Sequence, residues 1–161
     1  MLPLSRLIKA LIDADIDFVV VGGFAAMLHG STLMTRDIDV CAVLSNEEVE
    51  KLRLALRDLH PTHRLTPQRL SFLTNPDPGL PVKNLYLETD FGSVDLLSSV
   101  HGVGDFAAVR AESIEIELFD RRCRVISLDA LIRAKESLGR EKDLLAVKEL
   151  KAIRAKQAKP V

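Results

Sequence analysis

The feature that most constrains the fold is an acid pair placed fourteen residues after a glycine pair. Val19-Val20-Val21-Gly22-Gly23 leads into Phe24-Ala25-Ala26-Met27-Leu28-His29-Gly30, and Asp37-Ile38-Asp39-Val40 follows after Ser31 to Arg36. An apolar strand enters a glycine turn, a short helix follows, and a second strand opens with alternating acids. Side chains alternate faces along a strand, so Asp37 and Asp39 point the same way, about 6–7 Å apart, while Ile38 and Val40 face the core. Two like charges on one face raise each other's pKa unless a cation offsets them. An oxygen-rich site of that kind suits Mg²⁺ or Mn²⁺.

The other elements are readable from periodicity. Leu4, Leu7, Ile8, Leu11 and Ile12 recur at helical spacing. Ser45 and Glu48 have capping-box spacing ahead of the stripe Val49, Leu52, Leu56 and Leu59. Pro61, Pro67, Pro76, Pro78 and Pro81 make the next stretch loop-rich, interrupted around Leu70 to Leu73, and such a loop can border a site. Leu85 to Glu88 and Ser93 to Leu97 form one predicted hairpin around Asp90-Phe91-Gly92. Ile114 to Leu118 and Cys123 to Ile126 form another around Asp120-Arg121-Arg122. Ser127 caps a helix that Gly139 ends, and a second helix runs from about Arg140 to Ala155 with Leu144, Leu145, Val147 and Leu150 as its expected buried face. Aromatic residues are only 4% with no Trp, so the core has to be aliphatic. These pieces predict an α/β (α+β) fold: a mixed sheet of about five strands with flanking helices and a C-terminal helical pair. Residues 1–126 are expected to form the core and 127–161 a helical segment packed on it, within a single domain.

Net charge is −1, which argues against a strongly electrostatic nucleic-acid or membrane partner. The longest apolar run is too short and too glycine-broken to span a bilayer, and the N-terminal residues lack a signal-peptide pattern. Cys41 and Cys123 lie in apolar runs and read as buried free thiols. The expectation is a cytoplasmic protein.

Asp95 is the candidate third acid. It sits in Val94-Asp95-Leu96-Leu97, where a lone carboxylate is costly to bury. Beside the Asp37–Asp39 strand it would complete three carboxylates, the parts of a two-metal phosphoryl- or nucleotidyl-transfer site. At Gly22-Gly23 the helix start offers backbone N–H groups to an anion. His29, at the helix end, reads as structural. Lys135 and Lys142 either share one helix face or are solvated lysines. Arg140 to Asp143 either faces the site or is a charged helix start. Arg36, next to Thr35, either reaches a phosphate or offsets the local negative charge.

Strand-Gly-Gly, a short helix ending in His-Gly, a Thr two residues before Asp-Ile-Asp, and a later strand acid resemble the nucleotidyltransferase superfamily, whose members share the DNA polymerase β-type palm. Small bacterial nucleotidyltransferase-like proteins are the nearest in pattern, among them minimal nucleotidyltransferases, lincosamide-modifying enzymes and AbiEii-type toxins. The run Val125 to Lys135 followed by Gly139-Arg140-Glu141-Lys142-Asp143 is similar to the "Leu-Ile-x-x-Lys … Gly-Arg-x-Lys-Asp" ending of these proteins, so the resemblance spans roughly residues 15–150. It implies a triphosphate cradle at Gly22 and Gly23, metal binding by Asp37, Asp39 and Asp95, a base or metal-bridging role for Asp95, and phosphate-facing positions for Thr35, Arg36, Lys135, Arg140 and Lys142. It implies Mg²⁺ or Mn²⁺ as cofactor, an NTP (ATP foremost) as substrate, a hydroxyl acceptor, and an antitoxin or a second copy as partner. Two departures stand out. Many members have Ser where this chain has Gly23, and close relatives carry Arg where it has Leu33. The implied function is Mg-dependent transfer of an NMP to a hydroxyl. The alternatives are a toxin with the same chemistry or a catalytically silent nucleotide-binding module.

Overall fold

The computed structural model describes residues 3–159. The chain runs α1 (Pro3–Asp13), β1 (Phe18–Val21), α2 (Gly22–Leu28), β2 (Asp37–Ala42), α3 (Asn46–Leu56), a 3₁₀ turn (Arg57–Leu59), β3 (Thr62–His63), β4 (Asn84–Thr89) and β5 (Gly92–Leu97). It continues through β6 (Ser99–Val100), β7 (Gly104–Asp105), α4 (Phe106–Ala111), β8 (Ser113–Leu118), β9 (Arg121–Ile126), α5 (Leu128–Leu138) and α6 (Glu141–Ala158).

Seven strands form one mixed sheet in the order β3-β4-β5-β2-β1-β9-β8, and β6 pairs with β7 separately. The sheet is wider than the five or so strands expected, because both predicted hairpins join it and the short β3 extends it beyond β4. β2 lies between an antiparallel neighbour, β1, and a parallel one, β5. On β2 the alternation works as the sequence dictates: Ile38 and Val40 are fully buried, Asp37 is exposed and Asp39 is half-buried.

The core is aliphatic. Leu7, Ile8 and Leu11 of α1, Val19 and Val20 of β1, Leu52 and Leu56 of α3 and Leu131 of α5 are all buried in one cluster. Each such side chain contributes about 1.5–3 kcal/mol before entropy is counted. α1 packs on α3, while α5 contacts both α2 and α6. Ser45 caps α3 by accepting from Glu48 N (3.3 Å), but the Glu48 side chain turns to Lys51 (3.2 Å), so only half of the expected capping box forms.

The proline-rich stretch is fastened rather than loose. Buried Arg53 of α3 donates from Nε to Phe72 O (2.8 Å) and also donates to Pro76 O, and Phe72 itself is fully buried. His63 donates to Asn75 O at 2.7 Å and packs edge-on against Phe72. This anchoring fixes β3 and the residue after it.

α6 buries Val147 and Leu150 as expected but not Leu144 and Leu145. Asp143, Ala146, Val147 and Leu150 point inward, while Leu144 and Leu145 are 53% and 62% exposed. The rotation follows from Asp143, which is held inside by Arg140 (Nε to Oδ2, 2.5 Å) and takes the first inward position of the stripe. Among the described residues, no helix is long and apolar enough to cross a membrane.

Candidate active site

The site is a row across the middle of the sheet. Asp39 of β2 is the register partner of Val21 on one side and of Asp95 of β5 on the other, and Asp95 is in turn opposite Tyr86 of β4. Directly opposed residues on neighbouring strands point to the same face, with backbones about 4.8 Å apart. Asp37, two residues before Asp39, shares that face. The two acids of one strand and the acid of another therefore share one face of the sheet. They line a cavity of about 920 Å³ that also includes Gly22, Gly23, Thr35, Lys135, Arg140 and Lys142. Arg36 is exposed and does not line it. A smaller cavity of about 280 Å³ near Asp17 and Arg110 is lined by several ion-paired side chains, Arg110 with Asp17 (3.8 Å) and Arg122 with Glu115 (3.3 Å).

The electrostatics of the row are unbalanced toward negative charge. The carboxyl of Asp39 is pushed up to about 6, first by burial, then by Asp95 and Asp37; Lys135 and Arg64 oppose the shift. Lys135 of α5 is half-buried beside Asp39 and Asp143, and burial lowers its pKa. Arg140 is occupied by Asp143, whose pKa it lowers, so its charge is largely spent on α6 itself. Lys142 is exposed at the cavity wall.

The glycine pair has two distinct causes. Gly22 has φ +66°, and a Cβ there would lie 2.3 Å from Asp39 Oδ2; the Asp39 carboxylate fills the space a side chain would need. Gly23 is less constrained, with the nearest neighbour of a Cβ being Thr35 Cβ at 3.3 Å. Val21 precedes α2 without a side-chain cap, so the first N–H groups of that helix stay open to water or a ligand. Thr35 Oγ1 accepts from Asp37 N (3.2 Å) and orders the entry to the acid strand. His29 has the structural role expected, donating from Nε2 to Ile126 O (2.7 Å).

Arg64 is the residue that sequence reasoning misses. It follows β3 in the proline-rich stretch, and its N–H donates to Tyr86 O (3.0 Å). Its side chain returns along the row and clamps Asp95, Nε to Oδ1 at 3.2 Å and Nη2 to Oδ2 at 2.5 Å. The guanidinium also lies over the Tyr86 ring, 5.6 Å from its centroid. An isolated arginine among prolines gives no periodic signal, and it is tertiary pairing, β3 on β4 and Arg64 N–H on Tyr86 O, that brings it here.

The donor set suits a divalent cation: three carboxylates on neighbouring positions of one sheet face, one of them pushed up to about 6 first by burial and then by the two others. Among the described residues, however, no three His, Cys, Asp or Glu side chains close around one point. Asp95 has both oxygens turned to Arg64.

No sequence-family profile and no curated protein matches the chain. Solved structures do. The lincosamide antibiotic adenylyltransferase LnuA, bound to lincomycin, aligns with a TM-score of 0.59 at 17% identity over 94% of this chain and 96% of that one. An antigenic nucleotidyltransferase-like protein from Paracoccidioides brasiliensis aligns with a TM-score of 0.55 at 16% identity, over 92% of this chain and 72% of that one. ANT(2″)-Ia in complex with adenylyl-2″-tobramycin aligns at 0.50 and 17% identity, over 96% and 99%. The chain therefore has the nucleotidyltransferase fold.

Proposed function

We propose that this protein is a nucleotidyltransferase that moves a nucleoside monophosphate from an NTP to a hydroxyl acceptor. The observation that carries this reading is the Asp39–Asp95 register pairing, with Asp37 on the same face and the Gly22 turn alongside. A divalent ion held by Asp37, Asp39 and Asp95 would supply Lewis-acid neutralisation of the triphosphate charge.

The row has two sides. Toward β1 lie the open N–H groups of α2, together with Lys135 and Lys142, and these suit the phosphates. Toward β4 lie Asp95, Tyr86 and Asn84, and this side takes the acceptor. The acceptor oxygen forms a bond to the α-phosphorus, the α-phosphorus to bridging-oxygen bond breaks, and pyrophosphate leaves with that electron pair. Asp95 is the carboxylate placed to take the hydroxyl proton. Thr35 shapes the loop into Asp37. Arg36, outside the cavity, offsets charge near Asp37 rather than touching phosphate. The buried free thiols Cys41 and Cys123 fit a reducing, cytoplasmic setting.

The test is Mn²⁺-dependent binding of a non-hydrolysable ATP analogue by calorimetry, followed by transfer of label from ATP labelled at the α-phosphate to a panel of hydroxyl compounds, with unlabelled pyrophosphate released. Binding and label transfer are expected in the native protein and lost in Asp39→Ala. If no NTP analogue binds with Mn²⁺ present, the reading is wrong. Binding without any transfer would favour the silent nucleotide-binding module, the reading supported by Arg64 covering Asp95. Growth arrest on expression, abolished by Asp37→Ala, would assign a toxin role.

A further inference from the structure

We propose that Arg64 is a positioning residue that withholds Asp95 from the divalent cation until nucleotide arrives, so that opening of the Arg64–Asp95 pair completes the metal site. The proposal rests on the reading of Asp37, Asp39 and Asp95 as one cation site.

Three features of the row carry it. The guanidinium binds both oxygens of Asp95, at 3.2 and 2.5 Å, in the bidentate geometry that gives arginine–carboxylate pairs their strength and direction. Only 27% of the Arg64 side chain and 14% of the Asp95 side chain are exposed, so solvent screens the pair poorly. Finally, three acids share one sheet face, Asp95 lies directly beside Asp39, and both oxygens of Asp95 are taken by Arg64 rather than left free for a cation.

Arg64 is built to be released without unfolding its segment. Its backbone N–H stays bonded to Tyr86 O, and β3 is fixed through His63 and Asn75. The guanidinium already lies over the Tyr86 ring, which gives it a platform on the acceptor side once it lets go of Asp95. A guanidinium and a divalent ion repel each other and compete for the same carboxylate. In the empty site Arg64 at one end and Lys135 at the other serve as counter-ions for three crowded acids. A cation brought in with an NTP would compete with Arg64 for Asp95, the phosphates would offset its charge, and the released guanidinium would rest on the Tyr86 ring. The third acid is thereby armed only when substrate is present.

The experiment measures Mn²⁺ binding by electron paramagnetic resonance, with no turnover involved. Native protein, Arg64→Gln, Arg64→Lys and the pair Arg64→Gln/Asp95→Asn are compared without nucleotide and with a non-hydrolysable ATP analogue. Without nucleotide, Arg64→Gln should bind Mn²⁺ at least tenfold more tightly than native protein. Arg64→Lys, which keeps the charge but loses the fork, should fall between them. The gain should vanish in Arg64→Gln/Asp95→Asn and shrink when the analogue is present. Unchanged or weaker Mn²⁺ binding in both single variants, with far-ultraviolet circular dichroism unaltered, would overturn the proposal. If Arg64→Gln gains Mn²⁺ through Asp95 while the native protein binds no nucleotide analogue, the competition of Arg64 with the cation stands, and both its release by nucleotide and the nucleotidyl-transfer reading fall.

Discussion

Asp39 is the residue whose state reports most directly on the site. Its folded-state pKa of about 6 lies above the ordinary value of 3.8, so the folded protein holds this proton more tightly than the unfolded chain does. The resulting stability is fully present below about pH 3.8 and is lost as the pH rises through about 6, a change of about 3 kcal/mol for a shift of that size. Metal-free protein should therefore lose stability between pH 4 and pH 6.5 on account of this group, and Asp39→Asn should flatten the profile and raise the melting temperature at pH 7. Thermal unfolding in chelator across that range checks it; an identical slope in the variant would assign the titration to another group. Gly22 is tied to the same side chain. A methyl at Gly22 meets Asp39 Oδ2 at 2.3 Å and also forces φ +66° on an L-residue, so Gly22→Ala should cost about 2 kcal/mol or more in urea unfolding. Gly23→Ser meets only Thr35, at 3.3 Å, and should cost less than about 1 kcal/mol. In an Asp39→Ala background the penalty at Gly22 should shrink to its backbone part. If it did not, the contact with Asp39 would not be the reason for the glycine.

The elements show which parts of the fold a sequence can declare. The β4–β5 and β8–β9 hairpins are legible because alternation and turn residues lie within a dozen positions, and both form in register. The acid row is legible through Asp37, Asp39 and Asp95, since each stands out against an apolar strand. α6 misleads because its helical stripe can be drawn through Leu144 and Leu145, and only the Arg140–Asp143 pair turns the helix so that a carboxylate faces inward. α4 is short, and its start depends on Asp105 accepting from Ala108 N (3.0 Å) after a two-residue strand, so no periodicity announces it. Arg64 is invisible for a related reason: its place depends on its own N–H bonding to Tyr86 O and on Arg53 gripping the loop at Phe72 and Pro76, nineteen and twenty-three residues downstream of Arg53. These differences predict a clear contrast on α6. Leu150→Ala, at a fully buried position, should cost about 2–5 kcal/mol, whereas Leu144→Gln and Leu145→Gln should stay within about 0.5 kcal/mol. Denaturant midpoints decide the matter; a large loss at Leu144 would return that face to the interior.

At the scale of the molecule, the question is what kind of acceptor the β4 side of the cavity admits. ANT(2″)-Ia, one of the structures this chain resembles, was solved with an adenylylated tobramycin, an aminoglycoside. A polyamine of that class needs several carboxylates around its ammonium groups. Here the carboxylates lining the cavity are Asp37, Asp39, Asp95 and Asp143. Asp143 is paired with Arg140, and Asp95 is paired with Arg64 and is proposed to join Asp37 and Asp39 on the cation when nucleotide binds. What remains toward β4 is Asn84, Tyr86, Ser99 and the unshared N–H groups of Arg64, while Leu33, Met34 and Leu138 are apolar residues elsewhere in the cavity lining. Charge complementarity governs encounter and selection more than it governs total affinity, and a wall without spare acids repels a polycation as the metal loads. The protein should therefore bind tobramycin no more tightly than millimolar in the presence of Mn²⁺ and a non-hydrolysable ATP analogue, with little dependence on salt. A hydroxyl compound bearing a carboxylate or phosphate should compete better under the same conditions, through Arg64. Calorimetric titrations at low and physiological salt separate the cases. Micromolar, salt-sensitive tobramycin binding that survives Asp143→Asn would mean that the strand acids themselves hold the acceptor, and the division of the row into a nucleotide side and an acceptor side would have to be redrawn.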